Sequence, residues 1–416
     1  MKYLIFTLLY ATLQFSIYGQ DTIKSLELFD ALHTAKQQNF ALQTSELNIA
    51  LQHKEIVKAG IRPNPVFNIQ SLALLDHSYF PSDPLYTSGK NRQDWFQLTK
   101  KMQLYGVREN KIEVQQQRLG QSIAMHNSNT RDMMYTISLK WLDAWYAQEN
   151  KDMAAESVTS LDSLIQHKLK DNIETKNKNE YLRLLILDSQ YDLIYIDAQL
   201  GLRNELNDLQ FLINSSYILS VNITDNINLA EIPSNLDSLV EIALRSRSDI
   251  AFYKQQTLVS KANLTLQKSN TIPSPEVGFI TNPQNTVPYA GIFFTQPLPF
   301  FDRNQGEKQM AAIMLQKARV EESGIRIQVM NEVQKAYEAY TIHKLKLKQV
   351  EESLGLANTL VSDVRENYIN NTNGYVDLWE AERTWLDSKK LFYTTHYEYR
   401  KSIIELLHVI GMLEQL

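Results

Sequence analysis

Residues 26–65 read LELFDALHTAKQQNFALQTSELNIALQHKEIVKAGIRPNP, and residues 236–275 read LDSLVEIALRSRSDIAFYKQQTLVSKANLTLQKSNTIPSP. At an offset of 210 residues, Leu26 falls on Leu236, Leu32 on Ile242, Asn39 on Asp249, Ala41 on Ala251 and Ile49 on Val259. Arg62-Pro63-Asn64-Pro65 then falls on Ile272-Pro273-Ser274-Pro275. Each copy reads as an amphipathic helix that stops at Pro-x-Pro. Proline has no N–H to continue the ladder, and it biases the residue before it toward extended backbone. A repeat of this kind predicts one architecture built twice.

Alternating residues follow each Pro-x-Pro. Val66–Leu75 places Phe67, Ile69, Ala73 and Leu75 on one face, with Asn68, Gln70 and Leu72 on the other. Trp95–Leu104 alternates Phe96, Leu98, Met102 and Leu104 against polar residues, with Lys100 breaking the apolar face. In the second copy Glu276–Asn282 and Tyr289–Leu298 take these parts, with Ile292, Phe294 and Leu298 on one side. Such lengths suit tilted membrane strands of about 9–11 residues, and Trp95 and Tyr289 are expected at strand ends, where aromatic girdles lie. The same alternation equally fits a soluble hairpin half buried on a helix.

The remainder reads as helix: Val107 to about Lys170, Tyr181 to about Asn214, Gly306–Asn370 and Tyr375–Leu416. Val329, Val333, Ala336, Tyr340, His343, Leu347, Val350, Leu354, Ala357, Val361, Val364 and Tyr368 recur at alternating spacings of four and three, a coiled-coil seam. At about 1.5 Å per residue, a helix of roughly 60 residues is ~90 Å long. The breaks at Asp171–Asn179 and Asn370–Gly374 read as hairpin tips. At the second, Gly374 is the residue expected to hold a positive φ.

The chain has 416 residues, a formal charge of −5 and no cysteine. The acidic balance argues against a nucleic-acid groove. Lys2, an apolar stretch from Tyr3 and small Gly19 read as a signal peptide over 1–19, with the mature chain expected to start, without lipid, at Gln20 or Asp21. An uncleaved anchor is the alternative, but the run is short of the ~20 residues that span a bilayer.

The order helix, Pro, two strands, long helical hairpin, repeated once, resembles the TolC family of outer-membrane efflux proteins. Three segments carry the resemblance: Tyr368–Arg383 (YINNTNGYVDLWEAER), Lys101–Lys111 (KMQLYGVRENK) and Gln296–Gly306 (QPLPFFDRNQG). The last is similar to the heavy-metal, CzcC-like branch. The resemblance implies a mainly α fold with a β membrane part, in two repeats, 20–215 and 216–416. Each repeat gives a long antiparallel helical hairpin and two of the four strands, and a homotrimer closes one twelve-stranded barrel in the outer membrane. It implies a passive conduit from periplasm to exterior, docked on a periplasmic adaptor and an inner-membrane pump, with RND-type metal-cation export as one cargo class. The physics concurs, since four strands cannot close a barrel and open edges in hydrocarbon cost several kcal/mol per unpaired group.

By resemblance, the adaptor docks at the tips, on Asn172, Tyr181, Gly374, Tyr375, Val376 and Leu378. Asp171, Glu174 and Glu180 are candidate pore acids, since a carboxylate ring selects cations; a solvated hairpin end is the plainer reading. The linker Asp76–Asp94, holding Pro81, Pro84 and Gly89, is expected to face the exterior, with Pro283–Pro288 as its short equivalent. No phosphate loop, nucleophile elbow or dinucleotide fingerprint appears, so the chain reads as no enzyme, without cofactor, metal site or nucleic acid. His343 reads as a packed seam residue and Met133-Met134 as helix packing. A periplasmic coiled-coil adaptor would need a lipoyl-like β domain, and a surface coiled coil would not need the repeated strand pairs.

Overall fold

The computed structural model describes residues 23–73, 75–76, 92–170, 173–176, 178–215, 218–221, 235–283, 288–370, 372 and 374–413. Among them the elements are β1 (Ile23–Leu26), α1 (Leu28–Gln38), α2 (Phe40–Gly60), β2 (Val66–Ala73), β3 (Arg92–Lys101), α3 (Val107–Lys170), α4 (Ile173–Lys176) and α5 (Lys178–Ile213). The series then runs again as β4 (Ile218–Val221), α6 (Leu236–Ser246), α7 (Ser248–Ser269), β5 (Glu276–Asn282), β6 (Tyr289–Thr295), α8 (Gln305–Ile369) and α9 (Tyr375–Val409). The signal segment, most of the 76–94 linker and most of the 283–288 linker lie outside the described residues. Helices α3 and α8 have 64 and 65 residues, so the long-helix reading stands.

The chain forms two compact units, and each takes residues from both passes of the series. One unit, Glu46–His126 with Asp249–Arg326, holds a four-stranded sheet in the order β2-β3-β5-β6, antiparallel throughout. The register stacks Phe67, Leu98, Phe279 and Ile292 in one row across all four strands. Because side chains alternate faces, Ile69, Phe96, Val277 and Phe294 share that face. It is open: Ile292 is 89% exposed and Phe294 65%. Asn68, Gln97, Thr99, Asn282 and Thr295 point the other way. Along β3 the apolar stretch is closed by Asp94, ion-paired to Arg92 at 3.0 Å, and by Lys100 six residues on, about 20 Å at the usual strand rise.

Three strand expectations shift. β3 begins at Arg92 and ends at Lys101, so Trp95 sits inside the strand opposite Gln70, not at its end. The strand stops three residues short of the turn, where Tyr105 and Gly106 hold φ of 61° and 71°. β6 ends at Thr295 because Pro297 and Pro299 have no N–H to donate to a ladder. β2 ends at Ala73. Within this unit Gln52 Nε2 donates to Gln115 Oε1 at 2.8 Å and Gln256 Nε2 to Glu321 Oε2 at 2.7 Å, pairing helices of the same repeat.

The other unit runs up to Ser45, then Asn127–Ser248 and Ile327–Leu416. It contains a feature absent from the sequence reading, the parallel pair β1–β4, with Ile23 opposite Ile218 and Leu26 opposite Val221. The indole of Trp141, fully buried, donates to Leu26 O at 3.0 Å. Each repeat also breaks its first helix in two. At the first break Asn39 Oδ1 accepts from Ala41 N and Leu42 N at 2.9 and 3.2 Å, and its Nδ2 donates to Leu212 O, near the end of α5, at 2.8 Å. At the second, Arg247 donates to Glu332 Oε2 at 2.5 Å and to Val409 O, the end of α9, at 3.3 Å. Two unlike side chains thus tie the equivalent bend of each repeat to the last turn of that repeat's own helical hairpin.

These breaks correct the repeat alignment. Asn39 corresponds to Arg247, an offset of 208, whereas the strands keep 210. Helix α7 has 22 residues against 21 in α2, and its link to the strand is one residue longer. Leu26–Leu236 and Asn39–Asp249 are therefore not structural equivalents. The seam holds: Val329, Val333, Ala336, Ala357, Val361 and Tyr368 are buried, and the members between them, His343 included, are half-buried.

Candidate functional site

The ends of α3 and α8 and the starts of α5 and α9 meet at the hairpin tips around one apolar cluster. Leu161, Leu164 and Ile165 come from α3, Ile173 from α4, Leu184, Leu187 and Tyr191 from α5, Tyr368 from α8 and Leu378 from α9. Tyr181, Val364 and Tyr375 pack against it. The positions on each helix follow from spacing: Leu161, Leu164 and Ile165 lie at i, i+3 and i+4, as do Leu184, Leu187 and, one turn on, Tyr191.

Polar groups rim the cluster. Lys168 Nζ donates to Tyr368 O at 2.7 Å and lies 4.2 Å from the centre of that ring. The Tyr368 hydroxyl donates to Glu180 Oε1. Burial, then this bond to Glu180, pushes the Tyr368 phenol up and keeps it protonated. One layer inward, Arg365 grips Glu382 through two bonds, Nε to Oε1 at 2.5 Å and Nη2 to Oε2 at 2.8 Å. The Trp385 ring takes Arg365 on its face at 5.2 Å and Lys389 at 4.8 Å, and its Nε1 donates to Asn358 Oδ1 at 2.8 Å.

The residues read from the sequence occupy different places in this arrangement. Leu378 is fully buried, and Tyr181 and Tyr375 are half-buried against the cluster. Val376 is exposed. Glu174 is exposed on α4, while Glu180 accepts from Tyr368. Asp171 and Asn172 lie outside the described residues. Gly374 is corrected: its φ is −84° and ψ 167°, an extended N-cap whose N–H donates to Asp377 Oδ2 at 3.2 Å. In the same turn Thr372 N and Oγ1 both donate to Asn367 O, at 2.9 and 2.7 Å. Sequence reading missed Lys168, Arg365, Glu382 and Trp385. Tyr368 closes the heptad seam, and the Arg and Glu one turn from the seam on either side of the tip were the available signal.

An open antiparallel four-stranded sheet with one apolar face, joined to two long helical hairpins in a twofold series, defines the fold of outer-membrane channel protomers. The outer-membrane channel CmeC of Campylobacter jejuni has it, with a TM-score of 0.75 at 16% identity over 92% of this chain and 85% of its own. CusC matches at 0.75 and 15% identity over 96% of each chain. The MtrE outer-membrane channel of Neisseria gonorrhoeae, in its open state, matches at 0.70 and 15% identity over 93% of this chain and 89% of its own. No family model and no curated protein sequence matches the chain.

Proposed function

We propose that this chain is the outer-membrane channel of a tripartite efflux system, a passive conduit from periplasm to exterior rather than an enzyme. The observation that carries the reading is the sheet. Its apolar face is open, and among the described residues β2 and β6 each have a partner on one side only. In hydrocarbon those unpaired edge groups cost several kcal/mol each, so a chain with this sheet must complete it with copies of itself. Three copies give twelve strands, wide enough for a lumen, lined by the polar face that holds Gln97, Thr99 and Asn282. The repeats, 20–215 and 216–416, then supply two strands each.

At the tips, Val376 is the exposed contact for a periplasmic adaptor, linked to an inner-membrane pump, and Gly374 begins the helix that presents it. Tyr181, Tyr375 and Leu378 act from inside, by fixing the tip core, and Asn172 is the counterpart on the first tip. Glu174, with Asp171, supplies carboxylates to the pore mouth. Glu180 joins them when its bond to Tyr368 opens. Heavy-metal cations are the proposed cargo, on the resemblance of Gln296–Gly306.

The test is mass measurement of protein extracted from outer membranes, with conductance after reconstitution. A trimer that forms pores is expected. A stable monomer, or a protein released without detergent, would refute the proposal. Sensitivity of a deletion strain to metals, bile salts and dyes then assigns the cargo.

A further inference from the structure

Two cavities meet at one side chain at the end of the sheet where the helices attach. The first, about 230 Å³, is lined by Arg62, Lys100, Lys101 and Arg108, with Glu109 the acid among them. The second, about 710 Å³, is an apolar groove across the sheet's open face, lined by Leu98, Val277, Phe279, Ile292 and Phe294. Lys100 borders both.

The cations are not demanded by the fold. At the matching point of the second repeat, Ile272 replaces Arg62. Phe294 stands in the same cross-sheet row as Lys100, each opposite Val277. Lysine on a lipid-facing strand is costly at mid-bilayer and close to neutral near the interface. Lys100 is next to the last residue of β3, where its stem lies on apolar surface and its ammonium reaches Pro63 O. Arg108 is held by a bond from Nε to Gly60 O at 2.7 Å. Its Nη1 stands 3.8 Å from Glu109, which is largely exposed. Lys101 faces Glu276 in register, so the surplus positive charge rests on Arg62, Lys100 and Arg108.

We propose that this pair of cavities binds a phospholipid of net negative headgroup. The phosphate sits among Arg62, Lys100 and Arg108, and an acyl chain lies along the groove from Leu98 to Ile292. The proposal rests on reading the sheet as a membrane wall, and it places the helix-bearing end of the sheet at a leaflet's headgroup layer.

Native mass spectrometry of the full protein in detergent, with phosphatidylglycerol or phosphatidylcholine added, tests it. Wild type should retain phosphatidylglycerol about tenfold over phosphatidylcholine, which has the same phosphate but sets a choline cation against Arg62, Lys100 and Arg108. Lys100→Gln with Arg108→Gln should bring the two lipids to parity. Ile292→Ser, which keeps the cations, should weaken both alike. Equal retention by wild type, or a preference that survives the double substitution, would overturn the site. Displacement of phosphatidylglycerol by equimolar inorganic phosphate would assign the cations to free phosphate and overturn the lipid. Fractionation of the same cells separates the two readings. Loss of preference in protein recovered from the outer membrane counts against the lipid site alone, whereas a water-soluble protein indifferent to lipid sinks both.

Discussion

Removing Arg365 should damage the tip far more than removing its partner. The Glu382 side chain is 6% exposed and that of Arg365 is 26%. Arg365→Met strands a carboxylate with no route to water, a loss of about 3–5 kcal/mol for a broken buried pair. Glu382→Gln leaves a guanidinium that still reaches solvent and still lies on Trp385, for about 1–2 kcal/mol. Arg365→Met combined with Glu382→Leu removes both charges and should return to within ~1 kcal/mol of wild type. Amide exchange of residues 158–170, 180–191 and 364–386 in detergent-solubilised protein reads local opening at the tip directly. Equal costs for the two single substitutions, or additive costs in the double, would show that burial of Glu382 does not set the stability of this end.

Three further outcomes are expected. Gly278→Ala should lower the yield of assembled oligomer, at about 1–3 kcal/mol, because an added Cβ would lie 2.3 Å from the Phe293 ring and 2.8 Å from Leu98 O; Gly291→Ala, with open space at its Cβ, is the neutral control on the same gel. Gly374→Val should assemble and dock normally, since φ is negative and the nearest atom to a new Cβ is 3.9 Å away; a strain carrying it that loses resistance would restore the docking-turn reading. His408 stacks on Tyr135 and faces Arg131, Asp132, Arg247 and Glu332; burial first, then Arg131, lowers its pKa to about 4. Its ring stays neutral in the fold while the unfolded chain takes up a proton near the ordinary 6.5, so its contribution is complete above that pH and fades down to pH 4, by roughly 3 kcal/mol at most. His408→Gln should flatten local stability across that window in exchange measurements made at successive pH values.

The sequence made the large elements readable because they obey strong local rules. Val107 starts α3 and Lys170 ends it as expected, since no proline interrupts that stretch. Glu276–Asn282 appears as a strand with its own bounds, and apolar alternation put Phe67, Ile292 and Phe294 on one face. What stayed hidden depends on residues far apart in the chain. The parallel pairing of Ile23–Leu26 with Ile218–Val221 leaves too short a pattern to detect. The helix breaks at Asn39 and Arg247 carry no proline or glycine, and at each the side chain reaches a distant carbonyl, at Leu212 and Val409. At the tip, the proposed docking residues rest on resemblance, while the Arg365–Glu382 pair needed the antiparallel geometry of α8 and α9 to bring its members together.

The two ties at the helix breaks have a bearing on synthesis. Asn39 reaches Leu212, and Arg247 reaches Val409, so each bend closes within its own half of the chain. The first bend can lock once residue 212 has been made, with the second half still unborn. The sheet cannot follow that schedule, because β3 finds its second neighbour only in β5. From residue 212 to the start of β5 at Glu276 is a further sixty or so residues, over which the β2–β3 hairpin lacks its second neighbour. The second tie comes later still, because Val409 lies beyond every strand of the sheet.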